Sequence, residues 1–485
     1  MGDYIGRLAY GEGFVEGFLP RTIEEQGRLI PVILPKGLPE IRDIEKALDE
    51  AISKSQTPAK VPDLKTILKK HYKGGLVSII VDDHARPNVH TKLLLPPLLK
   101  QLLALGVRQD KIKFLIAHGT HRPAKENELP KILGETVSRE YKSQIESHDC
   151  VKGVEVIGKL EEGIPVEVNR TAFASEILIG LSDLDYHYFA GMGGGPKQIV
   201  PGIAGKNTIT AEHLKMFGKL GFAEHVDMGI IDHNPVYECK KRLVDFVQKE
   251  MRAKGSWLYA IATVVNAHDK LVHVAGGEIL DIHKKGESVL GSVNAAKVSK
   301  AADVVIIAAR HEGIDLYQAG KAHNAARKAV KTGGRIVVLA PCTDGWGSDE
   351  FKGLMAVATP ILKETEEKLK SLRGEAWAKE AAKGIDRALA AVQEVVMRDF
   401  KIGKQKPVDM LVTLRQCGWG HIYMVQDGLK KEDEASLPMS FLGKQGEDPS
   451  KRLRDWIVRL EEETGGKLDY CVIEDPALLV SVKRE

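Results

Sequence analysis

An amine, two imidazoles and a bare backbone fall within one short stretch of this chain. His187-Tyr188-Phe189-Ala190-Gly191-Met192-Gly193-Gly194-Gly195-Pro196-Lys197 is followed, sixteen residues past the lysine, by His213. Glycines take positive φ and let backbone approach a ligand closely. A lysine amine can hold a phosphate or form a covalent bond, and imidazole can ligate a metal or move a proton. A P-loop would place Ser or Thr after the lysine; here Pro196 precedes it and Gln198 follows, so that motif is absent. The bland alternative is a tight connection with a solvated Lys197. The C-x-x-C and H-E-x-x-H spacings are also absent, which disfavours a zinc hydrolase.

Two further polar clusters lie upstream. Asp83-His84-Ala85-Arg86-Pro87 offers either a local Asp83–Arg86 ion pair or an arginine free to grip a phosphate or carboxylate. His118-Gly119-Thr120-His121-Arg122-Pro123 offers an acid or base, His121 ahead of His118, with Arg122 ordering the loop. Far downstream, Gln318-Ala319-Gly320-Lys321 opens a helical pattern whose amides and amine suit an anion. Trp419, between two glycines, could cover a cleft.

The positioning elements follow from periodicity. Leu76–Val81, Lys113–Ala117 and Glu176–Leu181 read as strands, and each runs directly into one of the first three clusters. A Leu-rich helix follows the first and ends at Gly106, and His213 falls in a helix over Thr210–Phe217. This β-loop-α rhythm predicts an α/β fold with mostly parallel sheets, where ligands sit beyond the carboxyl ends of strands. Glycines and charges around Gly276–Gly286 suggest a boundary, giving an N-terminal cofactor-binding and catalytic domain over 1–278 and a C-terminal domain over 279–485, with an active-site cleft between them. The second domain would hold strands at Asp303–Ala309, Arg335–Ala340, Val408–Thr413 and Tyr470–Ile473, a helix at Gln318–Lys331, and one or two charged surface helices over Ile361–Phe400.

Composition narrows the class. The 485 residues carry 70 basic and 67 acidic side chains, net +3, too balanced to imply nucleic acid or a membrane surface. Five scattered cysteines argue against a disulfide framework and for a reducing cytoplasm. No apolar run approaches the roughly 18 residues of a membrane span.

Taken in order, Asp-His-x-Arg-Pro, Gly-x-His-Arg, His-x-Phe-Ala-Gly with a lysine ten residues after its histidine, a histidine sixteen further on, and Gln-x-Gly-Lys resemble the lactate racemase family that uses a nickel-pincer nucleotide. The resemblance runs over roughly residues 10–345. It implies that Lys197 covalently holds the nucleotide, a pyridinium-3,5-bisthiocarboxylic acid mononucleotide, and that His213 ligates nickel. It also implies that Asp83, His84, Ala85 and Arg86 touch the cofactor, that His121 and His187 are the catalytic pair, and that Gln318 and Lys321 bind substrate. Pro196 departs from the longer polar or basic residue expected before the lysine, which bears on a phosphate contact.

The implied reaction is racemisation or epimerisation of a 2-hydroxy acid by reversible hydride transfer, with the two histidines as acid and base. It would need cofactor-biosynthesis enzymes for maturation, and the particular hydroxy acid stays open. Acid–base catalysis alone supplies on the order of 10²–10⁴-fold, too little for a proton beside a carboxylate, so the cofactor carries the difficult step. Two rivals remain at this point: a non-catalytic nucleotide- or cofactor-binding carrier, and a nicotinamide-dependent dehydrogenase, which would show G-x-G-x-x-G opening a helix.

Overall fold

The computed structural model describes residues 3–401 and 403–482. It divides into two compact α/β units. A central unit comprises Lys36–Met216 and His225–Asn294; a terminal unit comprises Met1–Pro35, Phe217–Glu224 and Ala295–Glu485. The expected boundary at 278/279 therefore differs from this division at both ends. The Gly276–Gly286 region lies inside the central unit: Gly277 ends a strand, and Ile279–Asn294 is one continuous helix. Gly286 sits inside that helix because Leu184 packs there, 2.1 Å from where a Cβ would stand. The first residues join the terminal unit through Leu29–Ile30, which pairs with Tyr470–Ile473.

The central unit is built on a six-stranded sheet in the order Leu271–Gly277, Trp257–Val265, Ile177–Asp183, Val77–Asp82, Ile112–Ala117, Ile145–Ser147. All neighbours are parallel except the first pair. Val77–Val81 is wholly buried, as expected of a strand covered on both faces. Leu94, Leu95, Leu98 and Leu102 of helix Val89–Ala104 join Ile79, Phe114 and Ile179 in one core. From Val77–Asp82 the chain adds strands in one direction, then returns to place Ile177–Asp183 on the other side. The strand order thus reverses between these two, the position where open α/β sheets leave a crevice at their carboxyl ends.

The terminal unit repeats the plan. Its sheet runs Ser440–Phe441, Ile422–Val425, Val330–Leu339, Ala302–Ala308, Tyr470–Ile473, Leu29–Ile30, all parallel. The expected strand Val408–Thr413 is instead the middle of helix Gln405–Cys417. Every residue from Gln405 to Leu411 is buried, so the apolar run carries no one-sided helical stripe and reads like a core strand. The charged stretch after residue 348 forms two long helices, Asp349–Lys370 and Gly374–Arg398. Among the described residues no helix is long and apolar enough to cross a membrane.

Phe114 is fully buried and stacks edge-on against Tyr141 at 5.4 Å. Phe114→Ala should cost about 3–5 kcal/mol of stability, read as a lower urea midpoint with an unchanged slope.

Candidate active site

Three adjacent parallel strands, Ile177–Asp183, Val77–Asp82 and Ile112–Ala117, deliver their polar clusters to the same sheet edge. The loop after Val77–Asp82 is pinned by Asn88. This residue adopts a left-handed φ of 55° and donates from Nδ2 to Asp83 O and Arg86 O, both at 2.8 Å. The Asp83 and Arg86 side chains form no ion pair among the described residues, although Arg86 N–H donates to Asp83 O at 3.2 Å. Arg86 Nη1 reaches Asp185 Oδ2 at 3.0 Å, tying this loop to the one that follows Ile177–Asp183.

Asp83 instead serves the histidine cluster. Its Oδ2 accepts a hydrogen bond from His121 Nδ1 at 2.6 Å, while Oδ1 takes the Ala85 N–H at 3.1 Å. Burial opposes the charge on Asp83, but the His121 contact together with the charges of Arg86 and His84 holds the carboxyl below its ordinary value. With Nδ1–H committed to Asp83, the half-exposed His121 ring keeps its lone pair on Nε2. Arg122, expected to order this loop, does so through a two-pronged contact with Glu128.

His118 lies on the same carboxylate, 3.9 Å from Asp83 Oδ2, but is buried and driven down to about 4 by desolvation. Asp83, His84 and His118 present ligand atoms within 4.8 Å of one another. His118 is nevertheless a poor metal donor there, because its Nε2 accepts the Ala124 N–H at 3.2 Å and the ring proton therefore sits on Nδ1. His84 Nδ1 is buried with no hydrogen-bond partner, a polar atom left for something else to satisfy.

The glycine loop is shaped mainly by its own unit. A Cβ at Gly191 would stand 2.1 Å from Ile230 O, one at Gly193 1.6 Å from Asp185 Oδ1, and one at Gly194 2.2 Å from Asp183 O. Gly195 N–H donates to Ser182 Oγ, and His283 Nε2–H donates to Gly193 O. The loop then enters a 3₁₀ turn, Gly195–Gln198, which contains Lys197 and the buried Pro196. It opens no α-helix, so the dinucleotide fingerprint of the dehydrogenase reading is missing.

Phe189 gathers the remaining candidates. Its ring meets His187 edge-on at 4.5 Å and His213 at 5.2 Å, and Lys197 Nζ lies 6.0 Å from its centroid. Asn234 fixes it by donating to Phe189 O at 2.9 Å while capping helix Pro235–Ala253. Burial, with Arg86 and Lys240 adding repulsion, pushes the Lys197 amine well below the usual lysine range, which favours its nucleophilic form. Burial, then Lys197 and Arg86, likewise hold His187 well below the ordinary imidazole value. His187 Nδ1 accepts the Ala190 N–H at 3.3 Å, leaving the neutral ring's proton on Nε2. His121 and His187 thus present opposite faces of imidazole chemistry, one a lone pair and one a donor.

His213, near the end of helix Lys206–Leu214, turns Nδ1 toward Ile209 O at 3.0 Å and Glu212 Oε2 at 2.5 Å. The Ile209 carbonyl accepts the Nδ1 proton, which leaves the ring's lone pair on Nε2. The donor set suits a nickel-pincer nucleotide: a buried amine to bond it, an imidazole whose proton is held on Nδ1, and Arg86 and His84 for polar contacts. Gln318 and Lys321 belong to the terminal unit. Gln318 N–H is capped by Asp315 Oδ1 at 2.7 Å, and Lys321 Nζ donates to Glu312 Oε1 at 2.6 Å, so a carboxylate already occupies each anion-binding feature of that helix. Trp419 is half-buried in the turn between Gln405–Cys417 and Ile422–Val425. Asn234, Asp185, Glu212 and Lys240 escaped the sequence reading, and Phe189 entered it only as part of the His-x-Phe-Ala-Gly motif. Only Asn234-Pro235 carried a local signal, that of a helix start.

Residues 18–222 match the model of the lactate racemase N-terminal domain, and 296–403 match that of the C-terminal domain, together well over half the chain. The chain belongs to the lactate racemase family. It is 30% identical over 280 residues to a lactate racemase of Thermoanaerobacterium thermosaccharolyticum, spanning 57% of this chain and 62% of that relative, which is short of two thirds of its length. It is 28% identical over 320 residues to a lactate racemase of Lactiplantibacillus plantarum, spanning 65% and 69%. The fold matches the lactate racemase apoprotein of T. thermosaccharolyticum with a TM-score of 0.74 at 22% identity, over 99% of both chains. A crystal structure of a protein from Thermotoga maritima follows at 0.59 and 15%, over 90% of this chain and 98% of that one. These likenesses place the chain in the family's fold at both units.

Beneath the site, burial pushes Asp82 up to about 6 against the pull of Arg86 and a hydrogen bond from Gln198. A carboxyl that binds its proton more tightly folded than unfolded adds stability at low pH, lost as pH rises from about 4 through about 6. Asp82→Asn should therefore remove a penalty on the order of 3 kcal/mol at pH 7 and change little at pH 4, as read from urea unfolding at the two values.

Proposed function

We propose that this protein interconverts the stereoisomers of a 2-hydroxy acid with a nickel-pincer nucleotide held by Lys197. The observation that carries the reading is the grouping of a nucleophilic buried amine, His187 and His213 around Phe189. Lys197 would hold the nucleotide covalently, His213 would ligate its nickel through Nε2, and Asp83, His84, Ala85 and Arg86 would line it. When bound, the cofactor supplies an acceptor for the substrate's Cα hydrogen, the step side chains alone cannot accelerate enough.

The protein's own groups handle the hydroxyl proton. His121 is oriented by Asp83 so that Nε2 can take that proton, and the carboxylate stabilises the imidazolium that results. His187, which burial and neighbouring cations keep neutral with its proton on Nε2, would donate a hydrogen bond from Nε2–H to the substrate oxygen, while the proton taken by His121 returns from His121. Two such groups serve two enantiomers. Arg86 is the candidate grip for an anionic group in the central unit; Gln318 and Lys321 are the candidates in the terminal unit, where Lys321 would exchange Glu312 for a substrate carboxylate. All five cysteines are free thiols, which suits a cytoplasmic setting alongside the enzymes that mature the cofactor.

Protein co-expressed with cofactor-biosynthesis enzymes should show a covalent mass increase and one nickel, and should interconvert enantiomers of at least one 2-hydroxy acid on chiral chromatography. Lys197→Ala should abolish the mass increase. His121→Asn and His187→Asn should keep it yet lower turnover about 10²–10⁴-fold each. Matured wild-type protein without adduct, metal or interconversion of any acid tested would refute the reading.

A further inference from the structure

Helix Lys206–Leu214 and helix Pro235–Ala253 bury a charged pair directly behind His213. Glu212 is 0% exposed, Lys240 1% and His213 4%. Lys240 Nζ lies 3.0 Å from Glu212 Oε1, and His213 Nδ1 lies 2.5 Å from Glu212 Oε2. Burying two charges is a poor way to gain stability, since apolar residues of similar volume usually do as well or better. A histidine present only to fill space would need no such support.

We propose that Glu212 and Lys240 are a positioning pair that fixes the His213 ring for metal ligation, holding its proton on Nδ1 and its lone pair on Nε2. The inference rests on the cofactor reading above. Metal-binding histidines ordinarily donate their second ring nitrogen to a carboxylate or carbonyl, which sets tautomer and orientation and raises ligand basicity. Here Ile209 O accepts the Nδ1 proton, and the Glu212 carboxylate lies against the same nitrogen. Lys240 neutralises Glu212, so the support adds no net charge near a cationic metal and the carboxylate stays committed behind the ring. Phe189, edge-on at 65°, limits rotation of the ring from another side.

The test has two arms. In apoprotein labelled with ¹⁵N-histidine, with His213 assigned by its loss in His213→Asn, wild type should show a pyrrole-like Nδ1 and a pyridine-like Nε2. Glu212→Gln should shift population toward the other tautomer. In matured protein challenged with a chelator, the same variant should lose nickel about 10–100-fold faster while keeping the covalent adduct on Lys197. If leaving Lys240 unpaired prevents folding, Glu212→Gln combined with Lys240→Met removes both charges and should give the same two readouts. An unchanged tautomer and unchanged nickel retention in folded variants would overturn the proposal while leaving the cofactor reading intact. Matured wild-type protein with the adduct but without nickel would overturn the ligand role of His213 itself.

Discussion

The reactive edge depends on how charge is settled between neighbouring strand ends. Asp83 and Arg86 are three residues apart and could have cancelled each other locally, leaving an inert turn. Asn88 bends the loop so that they separate: the carboxylate goes to His121 and the guanidinium crosses to Asp185. One contact makes an oriented base, and the other joins the two loops where the strand order reverses. Without that division, a histidine from the third strand would lack its anchor and the glycine loop would lack its tie to the first.

A second layer keeps the groups in place without touching a reactant. Asn234 holds the Phe189 carbonyl, Gln198 bridges Leu181 O and Asp82, and His283, backed by Tyr237, holds Gly193 O. These residues come from helices and turns far apart in sequence. Their shared effect is a rigid floor on which Lys197, His187 and His213 surround a single aromatic ring.

Much of this was legible in the sequence because strands buried on both faces announce themselves as unbroken apolar runs ending at polar clusters. The three loops that converge on the sheet edge were visible that way, as were both α/β units. Partners were not. Nothing in the residue order says that Arg86 prefers Asp185 to Asp83, that Glu312 already holds Lys321, or that Lys240 stands behind Glu212, because each pairing is made by the folded arrangement. Helix Gln405–Cys417 was misread as a strand for a related reason: burial on all sides erases the periodicity that separates the two. The boundary expected around Gly276–Gly286 falls inside the central unit, because a glycine inside a helix can mark a close neighbour, here Leu184, rather than a break.

The glycine loop has a practical consequence for anyone wishing to redesign it. At positions 191 and 194 the obstacles to a side chain are main-chain atoms of this same fold, which cannot step aside as a flexible side chain would. Randomised libraries aimed at these codons would return mostly misassembled protein. Diversity in what the pocket accepts has to be sought in residues that face outward from it, with the loop itself inherited unchanged.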